Sequence, residues 1–198
     1  KNKQVLNSLN LQLNSGQVLG ILGKNGAGKT TLFECIFQSL KYSGQILWNG
    51  QHLKRGDTAY LETENYFYPY ITGEEYLTYF TESKNLGSLE EKFSLPLKKF
   101  VQDYSHGMKK KLALTGVLYL DKPLVILDEP FNGVDFESVH IIYEIVTELK
   151  NSEKTVIISS HIIETLFQTC DSIAILENGT FTKRINRQNF EELKGFRF

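Results

Sequence analysis

The sequence predicts an α/β fold: a mostly parallel sheet covered on both faces, an antiparallel β part near the N-terminus and a small helical insertion. Three observations predict it. Short, fully apolar runs alternate with longer segments of helical period, the pattern of strands buried between helix layers. A glycine-rich loop falls between the first such run and the helix that follows it. A pair of acidic residues ends another apolar run.

Taken in order, "LNLQL" at 9–13 has a period of two and is followed by Ser-Gly, which suggests a strand in an antiparallel pair; "GQILWNG" at 44–50 reads the same way. "VLGIL" at 18–22 reads as a buried strand, and "KTTLFECIFQSL" at 29–40 as a helix with Leu32, Cys35, Ile36 and Leu40 on one face. Further buried strands are expected at "LVILD" (124–128), "TVIIS" (155–159) and "SIAIL" (172–176), with helices near 136–150 and 161–169. Between 72 and 120 the segments "GEEYLTYFTES", "LEEKF" and "SHGMKKKLALTGVLYL" all fit helices. The expected organisation is one domain over 1–198, with 1–71 and 121–198 forming the core and 72–120 the insertion.

Composition narrows the function. The chain has 198 residues and a formal net charge of −1. That length suffices for a large core, burying about 70% of the unfolded surface. The charge balance argues against a nucleic-acid partner, which selects for a basic face. Two cysteines, Cys35 and Cys170, lie far apart in apolar stretches and suit buried thiols in a reducing compartment. The four histidines lack metal-ligand spacing, no apolar stretch reaches the ~18 residues of a membrane span, and the N-terminus lacks a secretory pattern. A cytosolic location is expected.

The loop "GKNGAGKT" fits G-x-x-x-x-G-K-[ST] between a strand and a helix, which makes the core that of a P-loop NTPase. Gly23, Gly26 and Gly28 let the backbone turn its N–H groups inward toward phosphate oxygens, with Lys24, Asn25, Ala27 and Thr31 completing the cradle. The helix opening at Lys29 adds its positive end. Lys29 is expected on the β- and γ-phosphates, and the Thr30 hydroxyl on Mg²⁺. Asp128, at the end of "LVILD", is expected to hold Mg²⁺, and Glu129 to polarise an attacking water. His161, after "TVIISS", sits where a third group reaches the same phosphate.

With those residues in place the chain resembles the nucleotide-binding subunits of ABC transporters over nearly its whole length. "GKNGAGKTT" resembles their Walker A loop, "LVILDE" their Walker B, and "YSHGMKKKL" (104–112) their signature motif, with His106 and Met108 in place of the usual residues. "NGVD", ending in Asp135, resembles their D-loop, and His161 their switch histidine. The resemblance implies an ATPase in which two subunits pair head to tail, each ATP lying between one P-loop and the other subunit's signature turn. Ser105 and Gly107 would then serve the neighbour's γ-phosphate: Ser105 as a helix N-cap, Gly107 by allowing close backbone approach. Lys109, Lys110 and Lys111 are read as the solvent side of the signature helix, with Leu112, Leu114 and Val117 turned inward.

Departures from the family pattern are also legible. Thr63 occupies the position of a glutamine that, in the family, touches Mg²⁺ and the attacking water, with Glu62 and Glu64 as alternative ligands. No aromatic residue stands in Lys1–Leu6 to stack on adenine, and only a short stretch follows the last apolar run. The expected partners are a second ABC ATPase subunit, identical or not, and separate transmembrane permease subunits docked near Tyr66, Phe67, Tyr68, Tyr70, Tyr76 and Tyr79. Half of those aromatics are equally read as core of the helical lobe. The signature variant resembles subunits of exporters. The alternatives are a soluble ABC-type ATPase acting as an assembly or mechanical factor, and a slow-turnover nucleotide sensor suggested by Thr63.

Overall fold

The computed structural model describes residues 4–81 and 89–196. A six-stranded sheet runs in the order β4 (Thr58–Leu61), β5 (Leu124–Leu127), β6 (Thr155–Ser160), β1 (Val18–Leu22), β7 (Ser172–Glu177), β8 (Thr180–Asn186). The first five are parallel, and β8 returns antiparallel to β7. Every residue of β1, β4, β5 and β6 is buried. Burial on both faces is why β1, β5 and most of β6 read as apolar runs, whereas the short β4, which opens on Thr58, was not among the expected strands.

Helices cover both faces. On one face α4 (His106–Tyr119), α5 (Phe136–Asn151) and α6 (Ile163–Thr169) pack on Val18, Leu127, Ile158 and Ile175. On the other, α1 (Lys29–Ile36) packs through Leu32, Phe33 and Ile36 on Leu19, Ile21 and Ile126. The two cysteines are buried free thiols. Among the described residues no helix is long and apolar enough to cross a membrane.

Four expectations change. The helix expected over 29–40 ends at Ile36; Gln38 turns left-handed (φ 61°) and Leu40 is exposed, because the chain leaves the sheet face there. "LNLQL" forms no strand: Leu9, Leu11 and Leu13 lean on the α1-side core while Asn10 and Gln12 are exposed, so its period of two records one covered side without a hydrogen-bonded ladder. The antiparallel part near the N-terminus is the two-residue hairpin β2 (Leu47–Trp48) and β3 (Gln51–His52). Strand β8 was not expected. Its signal is the Asn-Gly pair, with Asn178 at φ 50° and Gly179 at φ 75°, the left-handed pair that closes a tight hairpin.

Over 72–120 the described residues form α2 (Gly73–Leu77), α3 (Leu89–Lys92) and α4, with an isolated bridge between Thr72 and Phe100. A capping box of Thr72 and Glu75 opens α2, which stops at Leu77, short of the expected end of "GEEYLTYFTES". Glu82 and Ser83 lie outside the described residues, as do Lys1–Lys3 of the N-terminal segment without an adenine-stacking aromatic. Leu112, Leu114 and Val117 of α4 are buried as expected.

Candidate active site

The C-terminal ends of β1, β4, β5 and β6 converge, and each delivers a polar residue to one place. After β1 the loop turns through Gly26 (φ 84°) and Gly28 (φ 106°), conformations that a side chain disfavours. A β-carbon on Gly23 would stand 2.7 Å from the Leu176 carbonyl oxygen, so the cradle has room only for backbone there. Gly28 caps α1 without a side chain, leaving the first-turn N–H groups available to an anion. Lys29 is buried; its Nζ donates to the carbonyls of Gly23 (2.7 Å) and Lys24 (3.4 Å). Lys24, Asn25, Gly26 and Thr30 are exposed along the loop rim, Thr31 is half-buried, and Ala27 and Gly28 are buried beneath.

Asp128 is fully buried and receives three hydroxyls. Thr30 Oγ1 donates to Oδ2 at 2.6 Å, Thr63 Oγ1 to the same oxygen at 2.7 Å, and Ser159 Oγ to Oδ1. All are hard oxygen donors, the set that Mg²⁺ takes, so the residues fit that ion. Thr63 therefore stands at the Asp128 carboxylate, where the resemblance put a glutamine. Ser159 was missed by the sequence reading: a serine inside an apolar strand looks like core polarity, and only the neighbouring strand shows what it binds.

Glu129 follows in the left-handed region (φ 49°) and is 6% exposed. Its Oε1 stands 3.1 Å from Lys29 Nζ, an ion-pair contact without hydrogen-bond alignment. Its Oε2 lies 2.9 Å from His161 Nδ1, and its N–H donates to Ser159 Oγ at 2.9 Å. Lys29, Asp128, Glu129 and His161, read from three separated stretches of sequence, thus form one connected cluster.

Ser105, Gly107 and Asp135 form a second group. Ser105 caps α4, accepting from the Met108 N–H (3.2 Å). A β-carbon on Gly107 would lie 2.6 Å from the Gly133 carbonyl oxygen, so the close approach it permits is to its own chain's 132–135 loop. Asp135 caps α5: its Oδ1 accepts from the backbone N–H of Ser138 (2.9 Å) and the Ser138 hydroxyl (2.8 Å), and Lys111 Nζ lies 3.2 Å from Oδ2. Those hydrogen bonds from Ser138, then Lys111, hold its carboxyl down to about 2.

The reading of the three lysines as a solvent face is corrected. Lys110 is 4% exposed, and its Nζ donates to the main-chain carbonyls of Glu62 (3.0 Å), Thr63 (3.0 Å) and Asp128 (3.3 Å). Burial pushes its ammonium down to about 8, the nearby Asp128 and Glu129 carboxylates partly opposing. Lys111 is bound to Asp135, and Lys109 is half-buried. The aromatics divide: Phe67 and Phe80 each pack tilted against Tyr76, whereas Tyr66, Tyr68, Tyr70 and Tyr79 are 62–74% exposed.

Comparison with known proteins agrees with this geometry. A family model described as ABC transporter matches residues 6–132. The ABC transporter ATP-binding protein NatA of Bacillus subtilis is 31% identical over 89% of this chain and 79% of its own length. An uncharacterized ABC transporter ATP-binding protein of Synechocystis is 32% identical over 88% of the chain, which spans 54% of that relative. A solved ATP-binding subunit of an ABC transporter superposes with a TM-score of 0.86 at 30% identity, covering 96% of this chain and 87% of the other. The P-loop, the strand-end carboxylates and these relatives agree: the chain belongs to the ABC transporter family, as an ATP-binding subunit of its ATPase type.

Proposed function

We propose that the chain is a single ABC-type ATPase domain that binds Mg²⁺·ATP, pairs with a second such subunit around the nucleotide, and drives separate membrane subunits, in an exporter. The observation that carries this reading is the connected cluster of Lys29, Asp128, Glu129 and His161. The core over 1–71 and 121–198 holds the nucleotide through Gly23, Lys24, Asn25, Gly26, Ala27, Gly28, Lys29, Thr30 and Thr31. The helical insertion over 72–120 presents Ser105 and Gly107 to the partner's nucleotide, with Asp135 beside them.

Lys29 places its ammonium among the P-loop carbonyls, where it neutralises phosphate charge. Thr30 and Asp128 would hold Mg²⁺, which when bound spreads the charge of the transferring phosphoryl group. Glu129 accepts a proton from the attacking water, and His161, hydrogen-bonded to its Oε2, fixes which carboxylate oxygen faces that water. Ser105 and the open N–H groups of α4 add a charge-assisted hydrogen bond to the γ-phosphate of the facing subunit, worth about 1.5–3 kcal/mol, so that closure depends on that phosphate.

The export direction rests on the signature variant "SHGMK", and the docking of membrane subunits on the exposed Tyr66, Tyr68, Tyr70 and Tyr79. The protein cbiO1 from Clostridium perfringens, 25% identical with a TM-score of 0.77, is part of the ABC transporter complex cbiONQ, and such an assembly is the kind proposed here. A second reading, a slow-turnover sensor, is favoured by Thr63, whose hydroxyl sits on Asp128 where a longer side chain would extend past it.

The test is to trap the closed form with Glu129→Gln and ATP, cross-link in native cells and identify what co-purifies. A polytopic membrane protein, lost when the four exposed tyrosines are changed to serine, supports the transporter. A soluble complex without membrane protein overturns it. ATP binding by the unaltered chain without phosphate release selects the sensor.

A further inference from the structure

We infer that Lys110 is a positioning residue for hydrolysis: from the helix that carries the signature turn, it pins the peptide between Asp128 and Glu129 and so sets where the Glu129 carboxylate stands. The inference rests on the proposal that Glu129 is the general base.

An ammonium has three N–H donors, and here three main-chain carbonyls meet it, those of Glu62, Thr63 and Asp128. All three lie just past the ends of β4 and β5, where the chain leaves the sheet and its carbonyls lose their ladder partners. The Asp128–Glu129 peptide is held at both ends. Its carbonyl accepts from Lys110, and its N–H donates to Ser159 Oγ. Those two bonds fix the plane of a peptide that enters a residue with φ 49°, a left-handed conformation that a β-carbon disfavours.

The Thr63 carbonyl is held by the same ammonium while its hydroxyl sits on Asp128 Oδ2. Lys110 lies on the helix capped by Ser105, so the helix of the signature turn is bonded directly to the peptide presenting Glu129. A surface lysine would do none of this. Its burial beside two carboxylates that touch the P-loop through Thr30 and Lys29 is what separates Lys110 from Lys109 and Lys111.

The experiment compares the full chain with Lys110→Met, Lys110→Gln, Glu129→Gln and the double variant Glu129→Gln/Lys110→Met. It measures ATP affinity, KM, kcat and single-turnover phosphate release at saturating Mg²⁺ and ATP. A general base displaced by about 1 Å loses on the order of 10- to 100-fold in rate. Lys110→Met is therefore expected to lower kcat by that factor with ATP affinity within twofold. Lys110→Gln, whose amide keeps two donors, should lose less. Because Lys110 acts through Glu129, adding Lys110→Met to Glu129→Gln should lower the residual rate by less than about threefold.

A Lys110→Met kcat within twofold of the unaltered chain overturns the inference. So does an equal loss in the Glu129→Gln background, which would mark a general folding role. If Lys110→Met does not fold, Lys110→Leu, which likewise has no donor, carries the same criteria. A Glu129→Gln variant that keeps its turnover overturns the base assignment itself, a separate failure from that of Lys110.

Discussion

Replacing Ser159 by alanine removes a hydroxyl that serves two buried partners. Ser159 is fully buried in β6; its Oγ donates to Asp128 Oδ1 and accepts from the Glu129 N–H. Without it the N–H is left unsatisfied, costing about 1–3 kcal/mol, and Asp128 loses one of three charge-assisted bonds, about 1.5–3 kcal/mol. The space vacated is one oxygen atom, too small for water to replace the hydroxyl. Since Asp128 keeps Thr30 and Thr63, we take the combined loss as about 3 kcal/mol, near the low end of the sum. For a chain of this size that lowers Tm by roughly 6–12 °C. Urea unfolding at fixed pH, with the slope unchanged, measures it directly. A loss below about 1 kcal/mol would refute the account, showing that the Glu129 N–H finds another acceptor or that the strand relaxes around the site.

Gly107→Ala sets helix propensity against packing. Alanine gains about 1 kcal/mol in a helix, but its β-carbon would meet the Gly133 carbonyl at 2.6 Å, and such overlap costs about 1–3 kcal/mol. The expected result is a lower urea midpoint, and a raised one would contradict the packing argument. Asp135→Ala should cost about 1 kcal/mol through loss of the α5 cap. Because the Asp135 carboxyl is held down to about 2, its stabilisation is complete above the ordinary carboxylate value near 4 and is lost as pH falls toward 2. The stability gap between the parent chain and Asp135→Ala should therefore narrow between pH 5 and pH 2.5, and a constant gap would show the carboxylate charge to be irrelevant. Changing Tyr66 and Tyr68 to serine should leave Tm within about 2 °C, since both rings are largely exposed and touch chiefly each other. A larger drop would place them in the core of the helical lobe.

Most of the architecture was legible because its signals are local. A strand buried on both faces must be apolar throughout, so β1, β5, β6 and β7 stood out to within a residue or so. A phosphate-binding turn needs glycines at fixed offsets before a Lys-Thr helix start, so the P-loop was visible as a string of letters. Glu129 and His161 were read from strand ends for the same reason, since a chain leaving a parallel sheet exposes its next side chains at that edge. Even β8 has a local signal, the Asn178-Gly179 turn.

Tertiary structure decided what depends on groups far apart in the chain. "KKK" on an amphipathic helix looks solvated, and two of its three members obey no common rule: Lys111 reaches Asp135, while Lys110 is buried on carbonyls 18 to 48 residues away. Residues nearby in sequence have nothing to say about those carbonyls, because they become orphans only when β4 and β5 lie side by side and end together. Ser159 is in the same position, a small polar residue whose partners sit on the neighbouring strand. "LNLQL" is the converse case: its alternation truly records one buried side, but whether that side faces a ladder or merely a covering surface depends on which sheet edges are already taken, and β8 holds the edge of β7. The fold class and the chemistry of the nucleotide site were therefore written in the order of residues alone. The folded chain decided which backbone groups are left without partners and which side chains satisfy them, because hydrogen-bond demand is set by neighbours in space.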